Sequence, residues 1–168
     1  MSTVHLHLML NHIPVVGSLF LVVLFAAGVV RGNTTVVRTA LWTWAVLGAV
    51  ALVAFLTGEP AEEAVEGLAG VSEAAIERHE DLALVATILL GAGAALSVAA
   101  LALLRRRVAL PRWVAMTGLA GSLVIAGAMG VTADLGGQIR HTELRGAGVA
   151  PTTEAVRDQE ERRGDHDR

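Results

Sequence analysis

Hydrophobic residues occur in four long stretches, and the polar residues are confined to the segments between and beyond them. The stretches cover residues 13–30, 39–57, 82–104 and 113–133, and none of them contains a charged residue. At a rise of about 1.5 Å per residue, each is long enough to cross about 30 Å of hydrocarbon as a helix. In lipid only a helix satisfies its own backbone within a single segment. The pattern therefore predicts an all-α protein, an integral membrane four-helix bundle over residues 1–145.

Composition supports this prediction and excludes several classes of site. The chain is 54% hydrophobic with a mean hydropathy of +0.58, more than a soluble domain of 168 residues needs. No basic residue precedes the first stretch, which argues against a cleavable signal peptide. The absence of cysteine excludes disulfides, thiolate zinc sites, iron–sulfur clusters and Cys-attached haem. Sparse aromatics without a basic groove predict no nucleic-acid binding.

The distribution of arginine predicts the orientation of the bundle. Arg31 and Arg38 flank the first short loop, and Arg105–Arg107 with Arg112 occupy the loop between stretches three and four. The positive-inside rule places both loops in the cytoplasm. The protein is therefore predicted to be a multi-pass protein of a bacterial inner (cytoplasmic) membrane, N-out and C-out, with its other end facing the periplasm or exterior.

The segments outside the lipid carry further predictions. Residues 58–81 form the outer loop, in which 61–68 and 72–80 are predicted to be short helices across the outer mouth of the bundle. Residues 146–168 form a charged tail that is predicted to be disordered. Gly136 and Gly137 are predicted to end the fourth helix and to turn the chain back over the mouth.

Small and aromatic residues inside the stretches suggest how the helices pack. The glycines predict close helix–helix approach and could leave room for a flat cofactor. Trp42, Trp44 and Trp113 are predicted to belong to an aromatic belt at the cytoplasmic interface.

Five of the six histidines fall at the predicted outer end: His5, His7, His12, His79 and His141. Imidazole nitrogens bind metals and haem iron, and ionisable groups at membrane depth are costly enough to indicate function. With Asn11 as an N-cap, His12 would lie in the first turn of the first spanning helix. The clustering therefore predicts a one-sided site.

The histidine motifs resemble a bacterial four-helix membrane family that is catalogued as a domain of unknown function. The resemblance rests on His7-x-x-x-x-His12-x-Pro14, on Gly58-Glu59, on His79 and on Gly136-Gly137, and it covers roughly residues 5–145. The chain departs from that pattern in lacking a proline after the first histidine and in carrying Arg140-His141 after the glycine pair. The family implies the architecture without implying an activity.

One hypothesis for the site is electron transfer through a b-type haem, by analogy with membrane cytochromes of similar architecture. His12 and His79, at matching depth, are the predicted axial pair, and His141 or His7 could replace either. Arg78 and Arg140 are predicted to bind the propionates. The protein would pass electrons from a quinone to a redox partner at the outer face.

The alternative hypothesis is a site for copper, iron or zinc. Its predicted ligands are His5, His7, His12, His79, His141, Glu59, Glu63, Glu80 and Glu143. Mixed nitrogen and oxygen ligands suit these metals. No Glu-x-x-His motif is present, which weakens a bundle-type di-iron interpretation.

A third interpretation needs no cofactor, because the same groups could form a hydrogen-bonded cap on a structural or partner-binding membrane subunit. In all three cases the lipid bilayer is the surrounding partner. The sequence indicates electron transfer or metal binding rather than a stand-alone enzyme, and it contains no signal for oligomeric state.

Overall fold

The computed structural model describes residues 3–65, 68 and 71–140, without the side chain of Arg140. Within these residues the chain is helical and contains no strand. Its six helices are α1 Thr3–Leu10, α2 His12–Arg31, α3 Thr34–Leu56, α4 Gly58–Glu63, α5 Glu73–Leu103 and α6 Arg112–Arg140.

Four helical segments are long and apolar enough to cross a membrane: α1 with α2, α3, α5 and α6. They form a ring in which α2 packs on α3, α3 on α5, α5 on α6 and α6 on α2. The prediction of an all-α four-helix membrane bundle is confirmed. We call the end that carries His7 and His79 the histidine end, and the end that carries Arg105–Arg107 the arginine end. The first hairpin comprises α1, α2 and α3, and the second comprises α5 and α6.

Two aromatic rings fill the centre of the bundle. Phe25 and Trp44 meet edge to face with ring centroids 5.7 Å apart, and the Trp44 indole nitrogen donates to the Leu90 carbonyl at 3.2 Å. Trp44 is only 6% exposed, so its assignment to an aromatic belt is wrong. Trp42 and Trp113 are exposed, as belt residues must be. Residues two apart on a helix point in different directions, so positions 42 and 44 cannot both face lipid.

Glycines make room for these rings. A Cβ at Gly93, Gly118 or Gly121 would overlap the rings of Trp44 or Phe25, which confirms the prediction of close helix approach at these positions. In the part of the chain that the structure describes, nothing lies within 4 Å of a Cβ at Gly91, Gly127 or Gly130. At Gly93, Gly118 and Gly121 the space that glycine provides is therefore filled by the protein's own rings.

The arginine end is closed by backbone and side-chain caps. Gly32 ends α2 in the left-handed region at φ 58°, a conformation that favours glycine. The Arg38 guanidinium donates to the carbonyls of Leu104 at 3.0 Å and Arg107 at 2.9 Å. The first bond satisfies an acceptor at the end of α5, and the second joins Arg38 to the loop that follows.

Helix boundaries at the histidine end differ from three predictions. Helix α6 continues through Gly136 and Gly137, so these glycines do not end it. Residues 73–80 belong to α5 rather than to a separate short helix, and the helix predicted over 61–68 is replaced by α4. A helical glycine lowers stability by about 1 kcal/mol relative to alanine but does not by itself stop a helix.

Asn11 does not cap the first spanning helix. Its backbone is helical, with φ −60° and ψ −29°, and its side chain makes no capping hydrogen bond. Helix α1 precedes it, and the Asn11 amide donates to the His7 carbonyl at 2.9 Å. The break between α1 and α2 follows from Pro14, which has no N–H to offer the carbonyl of Leu10.

Candidate functional site

His7 joins the start of the first hairpin to its end. Its Nδ1 lies 2.9 Å from the carbonyl oxygen of Ala54 and 3.5 Å from the hydroxyl of Thr57. A Cβ at Gly58 would lie 3.6 Å from the Cε1 atom of His7. The half-buried imidazole therefore lies over a glycine, close to the backbone where α3 ends and α4 begins.

His79 makes the corresponding contact within the second hairpin. Its Nδ1 lies 3.0 Å from the carbonyl oxygen of Thr132 on α6. A Cβ at Gly136 would lie only 3.0 Å from the Cε1 atom of His79. The glycine that does not end the helix thus has a different use, because it lets the imidazole approach the helix surface.

The two contacts share one construction. In each hairpin a histidine near the start bonds a carbonyl near the end, and that carbonyl belongs to the residue four positions before a glycine. His7 lies near enough to His79 to be a minor electrostatic influence on it. The structure therefore places one imidazole from each hairpin at the histidine end.

The hydrogen bonds fix the tautomer of both imidazoles. A carbonyl oxygen can only accept, so Nδ1 of His7 and of His79 carries the proton and donates it. In a neutral imidazole of this tautomer, the Nε2 atom keeps its lone pair. Metal-bound histidines have this arrangement, in which one nitrogen donates to a carbonyl and the other faces the metal.

The other predicted histidine ligands in the described part of the chain are placed differently. His12 is exposed, and its Nδ1 lies 3.1 Å from the carbonyl of Leu8 in the preceding turn. His5 is also exposed. The His7 ring, unlike that of His12, bonds a carbonyl of α3. The contacts therefore support His7 rather than His12 as the partner of His79.

Carboxylates at this end form a pair that the sequence did not reveal. Glu62 on α4 is hydrogen-bonded through its side chain to Glu80 on α5, and this bond, with smaller effects of burial and charge repulsion, raises the pKa of Glu62. Glu59, Glu63 and Glu80 are exposed. Within the described ranges, no three His, Asp or Glu side chains are grouped closely enough to hold a metal ion.

Some predicted site residues cannot be placed. His141, Glu143 and the tail over 146–168 lie outside the described residues, as does the side chain of Arg140.

No pattern in the sequence identifies Ala54, Thr132 and Gly136 as the residues that the two imidazoles contact. The only signal was that Gly58 and Gly136 follow hydrophobic stretches at the same end of the bundle.

Asn11 adds an unusual polar atom near His7. Its Oδ1 is buried and has no hydrogen-bond partner among the described residues. It lies four residues after His7, so both side chains lie on one side of the helical segment. An unpaired buried acceptor carries a free-energy cost, which marks this position as one not optimised for stability.

An open groove lies on the surface of the second hairpin at the histidine end. It has a volume of about 370 Å³ and is lined by Arg78, Asp81, Leu82, Val85 and Leu135. Its lining residues are the immediate sequence neighbours of His79 and Gly136, or lie within two turns of them.

Comparison with known proteins found no matching family model, no similar curated protein and no similar solved structure. The resemblance to the four-helix membrane family stays a prediction.

Proposed function

We propose that the protein is an integral membrane electron-transfer protein that binds one b-type haem through His7 and His79. The observation that carries this proposal is the pair of imidazoles, one from each hairpin, whose Nδ1 atoms are held by backbone carbonyls at 2.9 and 3.0 Å. When bound, the haem supplies one-electron exchange; the protein supplies the two axial nitrogens and the environment.

The number of available ligands fits a haem. Its iron takes two axial ligands from the protein, whereas metal sites without a macrocycle take three or more side chains. The described part of the chain offers two paired imidazoles and no group of three donors. Both histidines lie inside helices, four residues or more from the helix start, which limits their freedom.

The available space also bears on where a haem would lie. Phe25 and Trp44 fill the centre of the bundle, so a haem would be accommodated at the histidine end. Gly58 and Gly136 keep side-chain volume away from both rings there. The propionate contacts of Arg78 and Arg140 stay predictions, as does the outward orientation that the arginine distribution indicates.

Visible spectra of the detergent-purified protein test the proposal. We expect a b-type α band after reduction with dithionite in protein that was expressed with sufficient haem. The band should disappear in His7→Ala and His79→Ala and persist in His12→Ala, because His12 bonds to Leu8 in the preceding turn of the same hairpin. A featureless wild-type spectrum after haem supplementation, or loss of the band in His12→Ala with retention in His7→Ala, would contradict the proposal.

The alternative of a single copper, iron or zinc ion at the same imidazoles stays a prediction, because the described residues group no three His, Asp or Glu side chains closely enough to hold one. Elemental analysis should then show about one metal per chain that is lost in a His7→Ala, His79→Ala double variant. A stable wild-type protein with neither haem nor metal would leave the third interpretation, in which these groups form a hydrogen-bonded cap on a structural subunit.

A further inference from the structure

The arginine end concentrates positive charge without any acidic residue to offset it. Positions 1–58 and 82–133 contain no Asp or Glu. The arginines within these positions all lie at the arginine end: Arg31, Arg38, Arg105, Arg106, Arg107 and Arg112. Helix α3, with its 23 residues, separates the two ends by about 35 Å, several times the screening length of about 8 Å at physiological ionic strength. Within the described ranges, the carboxylates of the histidine end are therefore too distant to neutralise these arginines.

Arg38 differs from the other five arginines because its guanidinium is already bonded within the protein. It is half-buried and donates to the carbonyls of Leu104 and Arg107. The Thr34 hydroxyl adds a further link, because it accepts from the Leu110 amide at 3.1 Å. These bonds hold the loop between α5 and α6 against the start of α3. The five other arginine side chains are exposed and stand on this fixed frame.

Two of the exposed arginines flank a notch between the end of α2 and the start of α6. Gly28, Gly32, Arg112 and Met116 are among the residues that line this notch, and Arg31 directly precedes Gly32. Its volume of about 40 Å³ makes it a depression at the surface rather than an enclosed pocket. Met116 lies one turn after Arg112 and is 52% exposed. The notch therefore joins a cationic rim to an apolar wall.

Charge and exposure select an anionic phospholipid as the occupant. A guanidinium binds phosphate oxygens through two parallel hydrogen bonds. The cationic group of a zwitterionic lipid would meet only other positive charges at this end. Val30 and Val108, which adjoin Arg31 and Arg107, are 84% and 97% exposed. Apolar side chains beside arginines suit the interface of a bilayer, where acyl chains begin at the level of the phosphates, better than they suit water.

We infer that Arg31 and Arg112 together bind the phosphate of one anionic phospholipid, whose acyl chain lies along Met116. The lipid supplies the negative charge that this end of the protein lacks. The notch lies at the opposite end of the bundle from His7 and His79, so lipid binding there requires no haem and no metal.

Trp113 provides a fluorescent reporter for the notch. It directly follows Arg112 and is 62% exposed, and bromine atoms on a neighbouring acyl chain quench indole fluorescence on contact. Trp42 is exposed as well and is replaced by Phe in every protein that is measured, whereas Trp44 is buried away from lipid. The full chain is reconstituted in phosphatidylcholine vesicles that contain equal fractions of either dibrominated phosphatidylglycerol or dibrominated phosphatidylcholine. The two quenching efficiencies give the relative binding constant of phosphatidylglycerol at Trp113.

Two double variants remove the same charge from the same end. Arg31→Gln with Arg112→Gln removes the proposed ligands, and Arg105→Gln with Arg106→Gln is the matched control. We expect phosphatidylglycerol to bind at least about tenfold more tightly than phosphatidylcholine before these changes, because each basic residue at the surface contributes about fivefold. The ratio should fall about fivefold in Arg112→Gln alone and at least about tenfold in the first double variant. It should stay within about twofold of its starting value in the control.

Three results would overturn the inference. Equal losses in the two double variants would show a diffuse attraction to the whole arginine end. A ratio near one before any arginine is replaced would leave an acidic protein surface as the partner of these charges. Loss of the preference in excess inorganic phosphate at constant ionic strength would show that the notch takes a free anion rather than a lipid. Circular dichroism of each variant verifies its helix content, and Arg112→Gln alone retains the test if the first double variant does not fold.

Discussion

Replacing Gly136 with alanine tests whether this glycine exists to accommodate the His79 ring. The added Cβ would lie 3.0 Å from Cε1 and 3.2 Å from Nδ1 of His79. Non-bonded carbon atoms prefer about 3.5–4.0 Å, so the ring must retreat by about 0.5 Å. That movement would lengthen the 3.0 Å bond from Nδ1 to the Thr132 carbonyl to the limit of a hydrogen bond.

Two opposing contributions determine the change in the free energy of unfolding. Losing the hydrogen bond costs about 0.5–1.5 kcal/mol. Alanine in place of a helical glycine stabilises by about 0.8–1 kcal/mol. Gly136→Ala should therefore leave stability almost unchanged, while Gly130→Ala on the same helix, where a Cβ meets nothing within 4 Å, should show the full gain. The expected difference between the two variants is about 1 kcal/mol.

Unfolding by sodium dodecyl sulfate in mixed micelles, followed by circular dichroism, measures this difference. Gly58→Ala provides a graded comparison, because its Cβ would stand at an ordinary contact distance of 3.6 Å from His7. If Gly136→Ala gains as much stability as Gly130→Ala, Gly136 does not accommodate the imidazole, and the close contact between the His79 ring and Gly136 is refuted.

Three further predictions use the same unfolding assay. Gly93→Ala should destabilise the protein by about 1–3 kcal/mol through overlap with Trp44, and an effect no larger than that of Gly91→Ala would contradict the packing. Asn11→Leu should raise the free energy of unfolding by about 1–3 kcal/mol, because it removes a buried acceptor that has no partner among the described residues. A lower free energy of unfolding would show that Asn11 Oδ1 is hydrogen-bonded. The pKa of Glu62 is raised above its ordinary value of 4.5, so the folded state binds this proton more tightly than the unfolded state does. The stabilisation from the protonated Glu62 is complete below pH 4.5 and is lost as the pH rises through the raised pKa, so Glu62→Gln should gain stability relative to wild type between pH 4 and pH 7. A difference in stability that does not change with pH would exclude the raised pKa of Glu62.

The spanning helices could be predicted from the sequence because the requirement of lipid is local. Any uncharged apolar stretch of sufficient length satisfies it, whatever its neighbours are. Packing within the bundle depends on which side of each helix faces inward, and here the sequence was less informative. Trp44 and Trp42 carry the same side chain two positions apart, yet only Trp44 is buried.

The candidate site shows the same limit. The end of the bundle that carries the histidines could be predicted from span direction alone. The choice of His7 over His12 depends on the direction of each side chain about a helix that begins ten residues earlier than the predicted span. The Glu62–Glu80 contact joins residues on two helices whose relative position no local pattern specifies.

Packing in the core, rather than a bond between the two imidazoles, places His7 and His79 at the same end of the bundle. His7 is bonded within the first hairpin and His79 within the second, so neither hydrogen bond holds the hairpins together. That association comes from the centre of the bundle, where Phe25 and Trp44 of the first hairpin lie against glycines of the second. Each imidazole is therefore oriented by a contact within its own hairpin. A ligand that needs both Nε2 atoms would then stabilise the association of the hairpins by binding only the assembled state.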